Sequence, residues 1–304
     1  MMNTLSVKGL SKSFGTNKVI DGISFDVPEG SIFGFIGANG AGKTTTMKMI
    51  LGLLPSDGGE VFVCGEKVSF GATKTNRHIG YLPDVPEFYG YMRPEEYLRL
   101  CGEIVGLETA ENGRRGSELL EMVGLAKAGK KIGAFSRGMK QRLGMAQALL
   151  NQPKLLICDE PTSALDPMGR KEVLDILKQI KGKTTVVFST HILSDVERVC
   201  DRVAVLSGGH LALSGTLAEL RAKHRTDAVL IEFMSADDKE RLAAAAGGLM
   251  KNAESTNTEL TLRVTDIESA QREILRILSA NDILPLKLEV LEPTIESLYL
   301  EVAR

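Results

Sequence analysis

One stretch constrains this chain more than any other: Ser31-Ile-Phe-Gly-Phe-Ile-Gly-Ala-Asn-Gly-Ala-Gly-Lys-Thr-Thr-Thr-Met-Lys-Met-Ile50. Gly37, Gly42, Lys43 and Thr44 fall at the G-x4-G-K-T spacing of a phosphate-binding loop. Before them, Ile32, Phe33, Phe35 and Ile36 predict a buried strand. After them, Met47, Ile50, Leu51 and Leu54 share one helical face, and Pro55 with Asp57-Gly58-Gly59 is expected to stop that helix. Small loop residues let backbone N–H groups curl around phosphate oxygens, and the helix N-terminus adds partial positive charge. Lys43 is placed to reach β- and γ-phosphates, and the Thr44 hydroxyl to reach Mg²⁺. A Gly-rich turn that merely ends in Lys-Thr is the competing reading, and the flanking strand and helix weigh against it.

Composition narrows the class. With 304 residues, 43% hydrophobic and 25% charged, the chain has material for one large or two smaller globular domains. A net charge of −2 gives no electrostatic case for nucleic acid or an anionic membrane, so no nucleic-acid partner is expected. Cys64, Cys101, Cys158 and Cys200 lack any C-x-x-C pairing and read as reduced thiols packed as small hydrophobes. The start lacks a signal peptide's apolar core, and no apolar run approaches the ~18 residues of a membrane span. The chain is therefore expected in the cytoplasm.

Elsewhere strand and helix signals alternate. Leu5 and Val7, Val19 and Ile20, then Ile23, Phe25 and Val27 predict short strands over residues 4–30. Val61-Phe-Val63 and Ile79-Gly-Tyr-Leu82 predict two more, the second reaching Pro83-Asp84-Val85-Pro86, where two prolines forbid a helix. From about Arg93 to Leu125 the pattern is helical, with Pro94 suited to a first turn. Ser136 is a plausible cap for a helix carrying Met139, Leu143, Ala146 and Leu150. Residues 85–150 thus read as an inserted helical subdomain. Leu155–Cys158 is a continuous apolar run of the kind that forms buried parallel strands, and it ends in Asp159-Glu160-Pro161. Ligands bind at such strand ends in open α/β sheets. Neighbouring residues of an extended chain face different sides, so Asp159 is expected to orient Mg²⁺ and Glu160 to polarise the attacking water. A helix Gly169–Ile180, a strand Thr184–Phe188 leading to His191, a strand Val203–Leu206 and a helix Leu217–Lys223 follow. Taken singly, Phe14 is a core or turn aromatic, Ser136-x-Gly138 part of a capped helix, and His191 a structural histidine.

Taken in this order, the segments resemble the ATP-binding subunit of ABC transporters over about residues 4–222. The sharper markers are Ser136-x-Gly138 opening a helix before the acidic pair, with Ser163-Ala-Leu-Asp166 and His191 after it. The resemblance implies an α/β P-loop ATPase: a RecA-like core, an antiparallel β-subdomain and the helical insertion. It implies that Phe14 stacks on adenine and that Gly37, Ala38, Asn39, Gly40, Ala41, Gly42, Lys43, Thr44 and Thr45 hold the phosphates. Lys43, Glu160 and His191 would be catalytic, with ATP and Mg²⁺ as cofactors and Thr44, Asp159 and Asp84 at the metal. Ser136 and Gly138 would seal ATP bound to an opposing subunit, with Asp166 at the same interface, so a dimer enclosing two ATP is implied. A separate polytopic permease would be the second partner, holding the chain at the inner face of the membrane. The region Glu87–Gly106 would receive that permease. Three positions depart from the wider family: Asp84 stands for Gln, Arg137 for Gly and Met139 for Gln. The last two resemble a bacterial drug and antibiotic exporter branch, which implies export of drugs, antibiotics, peptides or similar compounds.

Residues 1–225 are accordingly read as the nucleotide-binding domain and 226–304 as a small α+β accessory domain. Val229, Ile231 and Phe233, then Leu260, Leu262 and Val264, then Leu286, Leu288 and Val290 alternate as three strands. Helical stretches lie between and after them, the last with Thr294 as a possible cap. This tail resembles the C-terminal extension of the same branch and would brace the dimer or bind a partner. An alternative class is a soluble ABC ATPase that drives no transport. A single phosphate loop, no long heptad run and no zinc-type cysteine grouping weigh against its known forms. A regulatory binder without turnover would be expected to lack Glu160 or Lys43, and both are present.

Overall fold

The computed structural model describes residues 2–72, 74–223, 228–291 and 294–302. The chain divides into two compact units, Met1–Leu217 with Tyr299–Arg304 and Ala218–Leu298.

The first unit opens with β1 (Asn3–Phe14) and β2 (Asn17–Pro28), a 12-residue antiparallel pair. Several short strands were expected here; the structure has two long ones, because register shifts along β1 absorb the breaks in alternation without ending the ladder. β3 (Ile32–Ile36) leads through the phosphate loop into α1 (Lys43–Ile50). β4 (Gly58–Val63), β5 (Glu66–Lys67) and β6 (Ile79–Leu82) follow. The helical insertion holds α2 (Pro94–Ile104), α3 (Thr109–Met122) and α4 (Arg137–Leu149). The chain returns through β7 (Leu155–Asp159), α5 (Pro167–Ile180), β8 (Thr185–Thr190), α6 (Leu193–Val199), β9 (Arg202–Ser207) and β10 (His210–Thr216); α7 (Leu217–Lys223) then begins at the boundary and belongs, from Ala218 on, to the second unit.

Two sheets result. One is antiparallel, in the order β2-β1-β4-β5; the other runs β10-β9-β3-β8-β7-β6. In the second, β9, β3, β8, β7 and β6 are mutually parallel, and β10 adds antiparallel at the β9 edge. β3, β7 and β8 are buried along their whole length; β3 and Leu155–Cys158 of β7 accordingly read as apolar runs, while β8 has Val186–Phe188 between polar ends. Met47 and Ile50 of α1 share a core with Leu5, Val7 and Val63 from the antiparallel sheet and Phe33, Ile157 and Val187 from the parallel one. Phe25 stacks on Phe33 with ring centroids 5.3 Å apart, joining the two sheets. Each such buried side chain contributes about 1.5–3 kcal/mol. The helix carrying the phosphate loop is therefore fixed on both sides.

α1 ends earlier than Pro55 suggests. Gly52 takes φ +69, Leu53 N–H donates to the Lys48 carbonyl at 2.8 Å, and Gly52 N–H to that of Met49 at 3.1 Å. This closure, at a glycine three residues before the proline, satisfies the last carbonyls.

The second unit contains β11 (Ala228–Phe233), α8 (Ala236–Ala245), β12 (Ala253–Ser255), β13 (Glu259–Arg263), α9 (Ile267–Ala280) and β14 (Pro285–Leu291); α10 (Ile295–Val302) closes the chain. Its sheet is antiparallel, in the order β12-β13-β11-β14. Val229, Ile231, Phe233, Leu260 and Leu262 face Leu242 of α8 and Ile274 and Leu278 of α9. The three expected strands are present. β12 is an addition, three residues too short and too polar to show alternation. Thr294 Oγ1 accepts from Ser297 N–H at 3.1 Å, as its capping pattern suggests.

Candidate active site

The loop between β3 and α1 is held at both ends. Gly37 N–H donates to the Thr190 carbonyl at 3.4 Å, and Ala41 N–H to that of Ala38 at 3.1 Å. Gly42 stands at the helix N-cap with φ +107, and a Cβ there would lie 2.5 Å from Ile20 Cδ1. No side chain caps α1, and its first turn holds no acidic residue. Its leading N–H groups and dipole are thus left for an external anion.

Lys43 is nearly buried. Its Nζ donates to the carbonyls of Gly37 at 2.7 Å and Ala38 at 3.1 Å, and lies 3.1 Å from Glu160 Oε1. The other Glu160 oxygen lies 2.8 Å from His191 Nδ1. Glu160 is thereby pinned between the loop lysine and the histidine after β8. Its backbone is strained as well, with φ +49 in the left-handed region. Its N–H donates to the Ser189 carbonyl and Oγ, both at 3.1 Å.

Asp159 and Glu160 do face different ways. Glu160 lines a cavity of about 350 Å³ with Asn39, Gly40, Gly42, Lys43, Thr44, Thr45, Asp84, Ser163 and His191. Asp159, 3% exposed, lies behind that lining and accepts a 2.5 Å hydrogen bond from Ser189 Oγ. Ser189 escaped the sequence reading as a site residue. The only signal for it is topological: β7–β8 register sets Asp159 directly opposite Ser189.

Ser136 caps α4, its Oγ accepting from Met139 N–H at 3.2 Å. With Gly138 and Asp166 it lines a second cavity, of about 290 Å³. Asp166 caps α5 by accepting from Gly169 N–H at 3.0 Å. Neither Ser136 nor Gly138 lines the cavity of Lys43 and Glu160. Phe14 also lies outside that lining. It ends β1 half exposed, with Lys12 Nζ 5.6 Å from its ring centroid.

Two of the three unusual positions meet in space. Arg137 Nη2 donates to Asp84 Oδ1 at 3.2 Å, while Gln141 Nε2 donates to the Asp84 carbonyl at 3.0 Å. Burial, and the nearby Asp159 and Glu160 carboxylates, push the Asp84 carboxyl above the ordinary range; Arg137 and His191 act the other way.

A family profile described as ABC transporter matches residues 20–163, and one described as the ATP-binding protein DrrA1-3-like C-terminal domain matches residues 215–303. The linearmycin resistance ATP-binding protein LnrL of Bacillus subtilis (strain 168) is 35% identical over 305 residues, 98% of this chain and 97% of that protein. The chain belongs to the ABC transporter ATP-binding proteins.

The bacitracin transport ATP-binding protein BcrA of Bacillus licheniformis is 33% identical, covering 99% of this chain and 98% of its own. A solved ATP-binding subunit of an ABC transporter superposes with TM-score 0.66 at 36% identity, over 72% of this chain and 92% of that one. The chain is thus an ATP-binding transporter subunit and an ATP hydrolase with the expected P-loop α/β fold. Subunits of this kind dimerise and work with membrane permease components. Among the described residues no helix is long and apolar enough to cross a membrane.

Proposed function

We propose that this chain powers an exporter, as one of two ATPase subunits that close around two ATP molecules beneath a separate permease. The observation that carries the reading is the division of the site. Lys43, Thr44, Glu160 and His191 share one cavity, while Ser136, Gly138 and Asp166 share another. A second subunit, identical or paralogous, would bring its Ser136 face over the first subunit's phosphates. Export is supported by the linearmycin resistance relative and by the full-length likeness to it. We place the nucleotide-binding domain at residues 1–225 and the accessory domain at 226–304.

The cavity falls within the usual range for small-molecule sites, about 300–1,000 Å³, and the uncapped start of α1 suits a polyphosphate. Phe14 would stack on adenine, and the loop from Gly37 to Thr45 would cradle the phosphates. No cluster of three or more His, Cys, Asp or Glu that could hold a metal exists among the described residues. An oxygen set of one hydroxyl and one or two carboxylates, completed by substrate phosphates, suits Mg²⁺. Thr44 and Asp84 would hold it from the lining and Asp159, behind the lining, through its water shell, and the ion would neutralise charge on the β- and γ-oxygens.

Lys43 would exchange the Glu160 carboxylate for phosphate oxygens as ATP enters. Released on that side, Glu160 would accept the proton of the attacking water, while His191, 2.8 Å from the same carboxylate, orients it. Loss of the γ-phosphate would remove what bridges the two subunits and let them part.

The test is gentle detergent extraction from native membranes through a tag on the chain. A polytopic membrane protein recovered at one copy per one or two ATPase chains is expected. Recovery of soluble partners alone, from membranes shown to be extracted, would overturn transport and favour a soluble ABC ATPase.

A further inference from the structure

The open edge of the second unit's sheet is complementary to itself. β14 closes that sheet on one side and, among the described residues, pairs only with β11. Leu286 is 58% exposed, and the side chains of Lys287 and Glu289 are 50% and 46% exposed. The opposite edge, β12, has only three residues. A free strand of seven residues presents a row of backbone donors and acceptors to any strand that can lie beside it.

Geometry restricts how β14 could meet its own copy. Directly opposed residues of an antiparallel pair point to the same face. A two-fold axis must therefore pass beside one residue, which then opposes itself. Centred on Lys287, the pairing sets two ammonium groups together; centred on Glu289, two carboxylates. Centred on Leu288, Lys287 opposes Glu289 on both sides of the axis. On the other face Leu286 then meets Val290, and Leu288 meets Leu288. That face is the apolar one: Leu288 lies opposite Ile231 in the β11 ladder and packs against the unit's core.

A register shift at Pro285–Leu286 makes only the start of the strand irregular, and the other usual safeguards of an edge are blunted. A lone edge lysine repels an added strand, but Lys287 already has Glu289 Oε2 2.5 Å away, and the same pair supplies the reciprocal charges. Pro285 is the first residue of the strand, where a missing N–H is tolerated.

We propose that β14 is a self-association edge. Two copies of this chain join antiparallel about Leu288, merging two four-stranded sheets into one of eight strands. The contact needs no nucleotide, so it tethers the subunits while their ATP sites open and close. Only that consequence rests on the proposed two-subunit ATPase; the edge pairing itself stands on the sheet.

The experiment is sedimentation of the full-length chain without nucleotide, comparing wild type with Lys287→Glu, Glu289→Lys and the double exchange. Wild type is expected to self-associate. Each single reversal turns both symmetric Lys–Glu pairs into like-charge pairs and should weaken association about tenfold or more. The double exchange restores opposite charges and should recover it, which a general surface-charge effect would not do. Leu288→Cys should in addition form a cross-linked dimer on mild oxidation. A wild-type chain that stays monomeric without nucleotide, or single reversals without effect, or a double exchange no better than the singles, would each overturn the proposal. ATP-driven dimerisation of Glu160→Gln, followed in the same instrument, separates the two readings. If it survives while the β14 effects fail, the edge is wrong and the ATPase dimer stands; the reverse pattern condemns the dimer alone.

Discussion

Replacing Glu160 by Gln should do two opposite things to this site. The carboxylate is 3.1 Å from the Lys43 ammonium, and the two side chains are only 12% and 6% exposed. Little solvent screens them. Unit charges 4 Å apart attract by about 4 kcal/mol at an effective dielectric of 20. Phosphates entering the loop must compete with that attraction for the same ammonium. Gln keeps the size and one hydrogen bond to Lys43 but removes the charge, so only part of the attraction is relieved. A gain of about 1 kcal/mol, or about fivefold tighter binding of ATP, is expected. Turnover should move the other way, falling about 10²–10⁴-fold if Glu160 is the proposed base for the water's proton. Affinity is to be read by titration calorimetry in chelator, where hydrolysis cannot drain the complex, and turnover by phosphate release with Mg²⁺. Binding weakened by the substitution would refute the competition argument. Near-normal turnover would remove Glu160 from its catalytic role.

Three further substitutions probe what surrounds it. Gly42→Ala sets a Cβ 2.5 Å from Ile20 Cδ1 on a backbone at φ +107; a loss of about 1–3 kcal/mol in stability and of ATP binding is expected from urea unfolding and calorimetry. Ser136→Ala removes the bond to Met139 N–H and should cost about 1 kcal/mol, while a turnover loss well beyond that, with ATP affinity of the isolated subunit intact, would mark its action on a partner's nucleotide. Asp195 is buried, which raises its carboxyl above 3.8 in the fold. A raised acid favours the native state below its unfolded pKa and loses that contribution as pH rises through the folded pKa. Asp195→Asn should therefore gain stability relative to wild type between pH 4 and pH 7, read as urea midpoints at both; a constant difference would refute the assignment.

How far the sequence reached depended on the range of the signal. Apolar runs located β3 and β7, and the Val186–Phe188 core of β8, because strands buried on both faces are mostly apolar. Spacing pointed to the phosphate loop and to the acidic pair because both are patterns of neighbouring residues. Where a residue's meaning lies across the sheet, the sequence is nearly silent. Ser189 looks like any polar residue at a strand end, and only parallel register sets it against Asp159 at 2.5 Å. The early end of α1 was missed for a related reason: Pro55 advertises a stop, but Gly52 makes one first.

Asp84 and Arg137 show the same limit most clearly. Read along the chain they are two separate departures, an acid where an amide is usual and a cation where a glycine is usual, 53 residues apart. The fold makes them partners at 3.2 Å, with Gln141 holding the Asp84 carbonyl from one turn further along α4. An unaccompanied Asp84 would add a third carboxylate beside Asp159 and Glu160; burial first, and their fields second, already push it toward its neutral form. The Arg137 guanidinium opposes that push. Because about half of each side chain is exposed, the bond itself contributes little, about 0–1 kcal/mol. Its importance is positional: Asp84 lines the cavity of Lys43 and Glu160, and Arg137 lines that of Ser136 and Gly138. One ion pair thus joins a residue of the first cavity to a residue of the second, a relation that no reading along the chain could supply.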